Sequence, residues 1–167
     1  MREVINTRQV VDWSAAIWAG IIGGAVFFLA SVLLLPLAVG GNAWVVARYF
    51  ASILLGAEVL APPATFELSI FAAALVAHFG LAIVFALLIS FVIHKGGLLA
   101  GVIRGALLGG AIYIINVYTL TLLFPWLFAL HGVLFFAAHV LYGAVVGWVY
   151  EGLEVEEFVA AGAEGGG

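Results

Sequence analysis

The chain contains no cysteine, which excludes disulfides, thiolate metal sites, iron–sulfur clusters and covalently attached haem. Charge is almost as scarce: Asp, Glu, Lys and Arg make up 8% of the 167 residues, where a soluble domain carries about a quarter. A water-facing surface cannot be built from so few charges. The five cations, Arg2, Arg8, Arg48, Lys95 and Arg104, are scattered and cannot track a phosphate backbone, which excludes nucleic acid as a partner. The sequence has no P-loop, no H-E-x-x-H, no G-x-S-x-G and no aspartate pair in its apolar stretches, so no enzyme signature is present.

What is present is hydrocarbon. Hydrophobic residues fill 66% of positions, in runs that reach the ~20 residues needed to cross ~30 Å of lipid. The expected fold is an all-α integral membrane protein, a four-transmembrane-helix bundle in a single membrane domain, 1–167. The spans are expected at about 14–39, 66–93, 98–124 and 130–150, with an acidic and glycine-rich tail over 151–167. Ser14, following Asp12, is expected to cap the first helix. Pro36 should bend that helix in its last turns, and Gly40-Gly41-Asn42 should stop it. At 27 residues, the apolar stretch Trp13 to Val39 is too long for a signal-peptide core and reads as a retained span.

Residues 43–60 are apolar but short and carry Arg48, which at a helix centre costs about 2.5–3.5 kcal/mol on insertion scales. With this segment at the surface, Arg2, Arg8, Lys95 and Arg104 fall on one side and Arg48 on the other. The positive-inside rule then predicts four spans, both termini cytoplasmic, and an interfacial amphipathic helix bearing Trp44, Arg48, Tyr49 and Ser52 on the outer side.

Small residues recur at four-residue spacing: Gly20 and Gly24, then Gly101, Gly105 and Gly109, then Gly143 and Gly147. These predict helix-packing seams, because lipid is as apolar as leucine and glycine lets backbones approach. The chain also reads as doubled, Ala19–Ala25 paralleling Ala100–Ala106, each followed by an Ala-His pair, Ala77-His78 and Ala138-His139. Two-span repeats would be parallel, related by an axis along the membrane normal.

His78 and His139 are the candidate site. Counted inward along their helices, both fall roughly 14–18 Å deep, and each shares a face with small residues, so both should point into the bundle. Two readings stand: the neutral rings hydrogen-bond neighbouring helices, with Tyr113, Asn116, Tyr118 and Thr119 as available partners, or they ligate one haem b. A proton, metal or quinone role is a further alternative. His94 and His131 should lie near opposite membrane surfaces, Arg104 should snorkel, and Trp13, Trp18, Trp44, Trp126 and Trp148, with Tyr150, should form aromatic belts.

Asn42 to Pro63, with Arg48, Ala51-Ser52-Ile53, Leu55-Gly56 and Glu58-Val59-Leu60, then Pro62 to Phe66, Ala77-His78-Phe79, Asn116-Val117-Tyr118, Phe124-Pro125-Trp126 and Ala138-His139, resembles a family of small bacterial four-helix membrane proteins often labelled "sodium:proline symporter". The resemblance implies the bacterial inner membrane and the four-span architecture. Symporters of that class use around ten or more spans with inverted repeats and broken helices, which four parallel-arranged spans cannot reproduce within one subunit. The functional expectation is an accessory, non-catalytic structural subunit of a larger bacterial membrane complex, of the respiratory or photosynthetic electron-transfer kind. It would have no cofactor of its own, and the lipid bilayer and other membrane subunits would be its partners. The alternatives are a bis-histidine haem b electron-transfer protein and a small oligomeric proton or solute permease.

Overall fold

The computed structural model describes residues 7–155 and 157–160. In chain order they form β1 (Thr7–Val10), α1 (Trp13–Leu34), α2 (Pro36–Val39), α3 (Ala43–Leu55), α4 (Leu68–Ile93), α5 (Leu98–Ile115), α6 (Thr121–Leu123), α7 (Val133–Leu153) and β2 (Glu157–Ala160). Four helical stretches are long and apolar enough to cross a membrane: Trp13–Ala38, Leu68–Ile93, Leu98–Leu123 and Val133–Leu153. The protein is an all-α, multi-pass membrane bundle, as its composition requires.

Local chemistry sets the boundaries. Asp12, rather than Ser14, caps α1, its carboxylate accepting the Ala15 N–H at 3.0 Å. Pro36 has no N–H to continue the ladder, so α1 stops at Leu34 and a short α2 restarts beyond Leu35. Asn42 caps α3 by accepting the Trp44 N–H at 2.9 Å. Gly56, at φ +89°, ends that helix in a conformation only glycine takes at low cost.

At 13 residues α3 is about 20 Å long, too short to cross the ~30 Å core. Two of its polar side chains are nonetheless turned inward. Trp44 is exposed and Tyr49 half-buried, but Arg48 and Ser52 are only 8% and 1% exposed. The chain folds back between α3 and α4, through a 3₁₀ turn at Ala57–Leu60, and leaves carbonyls that need donors. The Arg48 guanidinium supplies them, donating to Val59 O at 2.7 Å and Thr65 O at 3.3 Å, with the Glu67 carboxylate 3.9 Å away.

Two glycine seams hold the bundle. Along α1–α4, a Cβ on Gly24 would lie 2.9 Å from Ala82 Cβ, and one on Gly20 would lie 2.8 Å from Ile83 Cα and 3.0 Å from Ala86 Cβ. Along α5–α7 backbone meets backbone: a Cβ on Gly105 would overlap the Gly143 carbonyl oxygen, one on Gly109 that of His139, and one on Gly147 that of Gly101. Under the internal doubling, Gly24–Ala82 corresponds to Gly105–Gly143 and Gly20–Ala86 to Gly101–Gly147, so both halves close on equivalent positions. The halves join through α1 and α7, where Gly23 meets Val146 and Tyr142. α4 and α5 meet only sparingly.

The chain ends bring a correction. Residue 151 does not begin a tail: α7 continues to Leu153, and Glu151 packs against Gly101. β1 and β2 then pair antiparallel, Thr7 opposite Ala160 and Val10 opposite Glu157. Asp12 joins this knot, its Oδ2 accepting the Val155 N–H at 3.1 Å and its N–H donating to Tyr150 Oη at 3.2 Å. Both described ends therefore lie at one end of the bundle, as an even number of crossings requires. Glu156 and residues 161–167, Glu164 included, lie outside the described residues.

Candidate intramembrane site

α4 carries His78 and α7 carries His139, and α1 brings Phe27 between them. The Phe27 ring stacks on His78 at 5.4 Å and meets His139 edge-on at 4.7 Å. Both histidines are buried, at 7% and 4% exposed, so they point inward as expected. They begin 10 and 6 residues from the starts of their helices, about 15 and 9 Å along the axis. His139 is thus shallower on its own helix than the sequence count gave, yet packing on Phe27 brings both rings together.

Each imidazole has protein partners. His78 Nε2–H donates to the Gly24 carbonyl at 2.8 Å, and the ring is boxed by Phe27, Phe28, Phe50 and Phe79 at 5.1–5.4 Å. His139 Nδ1–H donates to Phe135 O, one turn back, at 2.8 Å, which leaves Nε2 as acceptor for Asn116 Nδ2 at 3.3 Å. That pattern satisfies a neutral ring on both nitrogens. Tyr142, on the same α7 face, donates to Ala82 O at 2.5 Å and ties the two halves together.

Asn116 is the expected helix partner that reaches a histidine by hydrogen bond. Tyr113 only packs edge-on against His139 at 5.5 Å, its hydroxyl accepting the Gly132 N–H at 2.9 Å instead. Tyr118 and Thr119 are exposed and turned away. The reason is local: Asn116–Leu120 form a π-turn between α5 and α6, which resets the helical phase. Such turns recur at functional positions.

Beside these rings lies a cleft of about 90 Å³. One wall is Leu81, Ala82 and Phe85 of α4, and the other is Ile112 of α5 with Asn116 and Val117 of the π-turn. Phe50 and Ile53 of α3, with Leu127 and Leu130, also line it. Leu81, Phe85, Asn116 and Val117 are partly exposed, so the cleft opens sideways where α4 and α5 part.

The other singled-out residues stay out of it. His131 bonds Phe128 O at 2.6 Å and His94 bonds Phe91 O at 2.7 Å, each through Nδ1 at a helix end. Arg104 is exposed, and its Nη1 would lie 2.7 Å from a Cβ on Gly96, so it reaches back toward the α4–α5 turn. Trp13, Trp18 and Trp148 are exposed on the ribbon half of the bundle, and Trp44 is exposed at the other end. Trp126 instead donates to Ser52 Oγ at 2.8 Å, pinning α3, and Tyr150 is not part of a belt but fully buried, its hydroxyl accepting the Asp12 N–H. No cluster of three or more His, Asp or Glu able to hold a metal occurs among the described residues.

Sequence reasoning missed Phe27 and the Gly24 carbonyl as His78 partners. It also missed Tyr142, although its position three residues after His139, on one helix face, was a signal. No family model, curated protein or solved structure matches this chain.

Proposed function

We propose that the chain is an accessory, non-catalytic subunit of a larger bacterial inner-membrane complex, of the respiratory or photosynthetic electron-transfer kind. The observation that carries this reading is how the buried polar groups are used. His78, His139, Asn116 and Tyr142 bond one another or backbone carbonyls across α1, α4, α7 and the π-turn, so these groups specify packing. Both glycine seams are consumed inside the bundle, which leaves the outer apolar faces for lipid or neighbouring subunits. Lys95 and Arg104 lie toward the ribbon end, preceded in sequence by Arg2 and Arg8, and Arg48 lies at the other. The positive-inside rule then sets the ribbon in the cytoplasm.

The bis-histidine haem b reading has less support. A macrocycle held by both rings would have to displace Phe27, which packs between them.

Purification from native membranes in mild detergent, with mass spectrometry of co-migrating proteins and a visible spectrum, tests the proposal. Expected are defined membrane partners and no Soret band. A chain that consistently runs alone as a monomer removes the accessory role, and a stoichiometric Soret band restores the haem.

A further inference from the structure

We propose that the sideways-opening cleft binds a hydroxylated aromatic ring on an alkyl tail, of the hydroquinone class, entering from the lipid between α4 and α5. This goes beyond the accessory role and does not depend on which partners the chain has.

The cleft exists because each of its walls is committed elsewhere. Ala82 and Ala86 of α4 are taken up by Gly24 and Gly20 of α1, and Gly101, Gly105 and Gly109 of α5 by α7, so these seams are not shared between α4 and α5. At this depth there is no bulk water to fill the gap, and polar groups facing it must find partners in protein or in a guest. Five polar side chains line it: Thr121, His139 and Tyr142 are bonded within the protein, and His78 and Asn116 keep capacity for a guest. His78, 7% exposed, spends Nε2 on Gly24, and its Nδ1 has no hydrogen bond among the described residues, so it is left as an acceptor. Asn116 gives one amide N–H to His139 and keeps a second donor, and its carboxamide oxygen, for a guest. A hydroxyl satisfies both kinds of group at once, donating to an imidazole nitrogen and accepting from an amide.

The apolar lining mixes aliphatic side chains with the rings of Phe27, Phe50, Phe85 and Phe135, and those rings offer a flat guest offset and edge contacts. Room and shape agree. About 90 Å³ is far too little for a ~10 Å helix, while the open side lets a tail leave among the lipid chains. An acyl chain would fit the gap but leave the imidazole and amide unpaired, at the cost of burying unsatisfied polar atoms. Binding alone is proposed.

The test uses the full chain in phosphatidylcholine nanodiscs, with decyl-hydroquinone and its dimethyl ether titrated under reducing conditions. The expected result is saturable binding of one hydroquinone per chain. The ether, which cannot donate, should bind about tenfold more weakly, the worth of one hydrogen bond. Asn116→Leu should weaken binding by a similar factor. Because Asn116→Leu also unpairs His139 and could disturb the bundle, Val117→Phe serves as the second variant. Val117 is partly exposed and outside both seams, so this substitution fills the cleft from its open side and should abolish saturable binding with the helical circular-dichroism spectrum unchanged. Equal affinity for hydroquinone and ether overturns the proposal. So does uptake that Val117→Phe leaves unaltered, or a phospholipid seen by native mass spectrometry that Val117→Phe releases and hydroquinone does not.

Discussion

Placing one methyl group at Gly105 tests the packing account directly. A Cβ there meets the Gly143 carbonyl oxygen, a backbone atom with no rotamer to turn aside, so α5 and α7 must part by about an ångström. A gap of 0.5–1 Å forfeits a quarter to a half of each dispersion contact along the seam. Over-packing costs about 1–3 kcal/mol, and a collision that only backbone can relieve belongs at the upper end, about 2–3 kcal/mol. That is about a 30- to 150-fold change in the folded-to-unfolded ratio. Gly80→Ala is the matched control, since Gly80 sits inside α4 with nothing within 4 Å of its Cβ position. There alanine should be neutral or stabilise by up to about 1 kcal/mol through helix propensity. Reversible unfolding in mixed micelles, followed by tryptophan fluorescence, reads both variants. Gly143→Ala causes the reciprocal collision, so the double variant Gly105→Ala/Gly143→Ala should cost less than the sum of the singles. Equal stabilities for Gly105→Ala and Gly80→Ala would refute the seam.

Arg48→Met should leave the carbonyls of Val59 and Thr65 without their donor, at about 1–3 kcal/mol, and hydrogen–deuterium exchange over residues 56–67 should rise while α7 stays protected. Asp12 gives a pH signature. Its carboxyl is held below the ordinary 3.8, first by the Ala15 N–H, then against desolvation by those of Val155 and Ser14. Its stabilisation is therefore in place above that ordinary value and is lost as pH falls through the lowered folded value. Energy transfer between labels on the two chain ends should decline over that acidic window in the native chain, and the decline should flatten in Asp12→Asn.

Span number and most boundaries were legible because length and hydropathy alone decide whether a helix can cross lipid. Pro36, Gly40 and Asn42 marked their breaks by backbone chemistry that acts locally. The glycine seams were legible for a similar reason: in a chain apolar on nearly every face, a missing side chain is the feature that tells one face from another. The inward turn of His78 and His139 followed from the cost of showing an imidazole to hydrocarbon. The burial of Arg48 was not legible because its partners are carbonyls, and only the path of residues 59–65 decides which carbonyls lack donors. The π-turn at Asn116 broke the phase count that would have placed Tyr118 and Thr119. Phe27 was invisible because phenylalanine is as much at home against lipid as between two imidazoles. Thr7–Val10 and Glu157–Ala160 are each four residues long, too short to announce a pairing at such separation.

The pairing of β1 with β2 also bears on biogenesis. Thr7–Val10 is translated first, but its partner Glu157–Ala160 leaves the ribosome about 150 residues later, a wait of roughly 8–30 s at ~5–20 residues per second. Until then α1 is inserted without its final clasp, and the strand must be kept from pairing elsewhere. Closure of the ribbon thus requires both strands on one side of the membrane, which follows only an even number of crossings, and a nascent chain stalled before α7 would hold β1 without its partner.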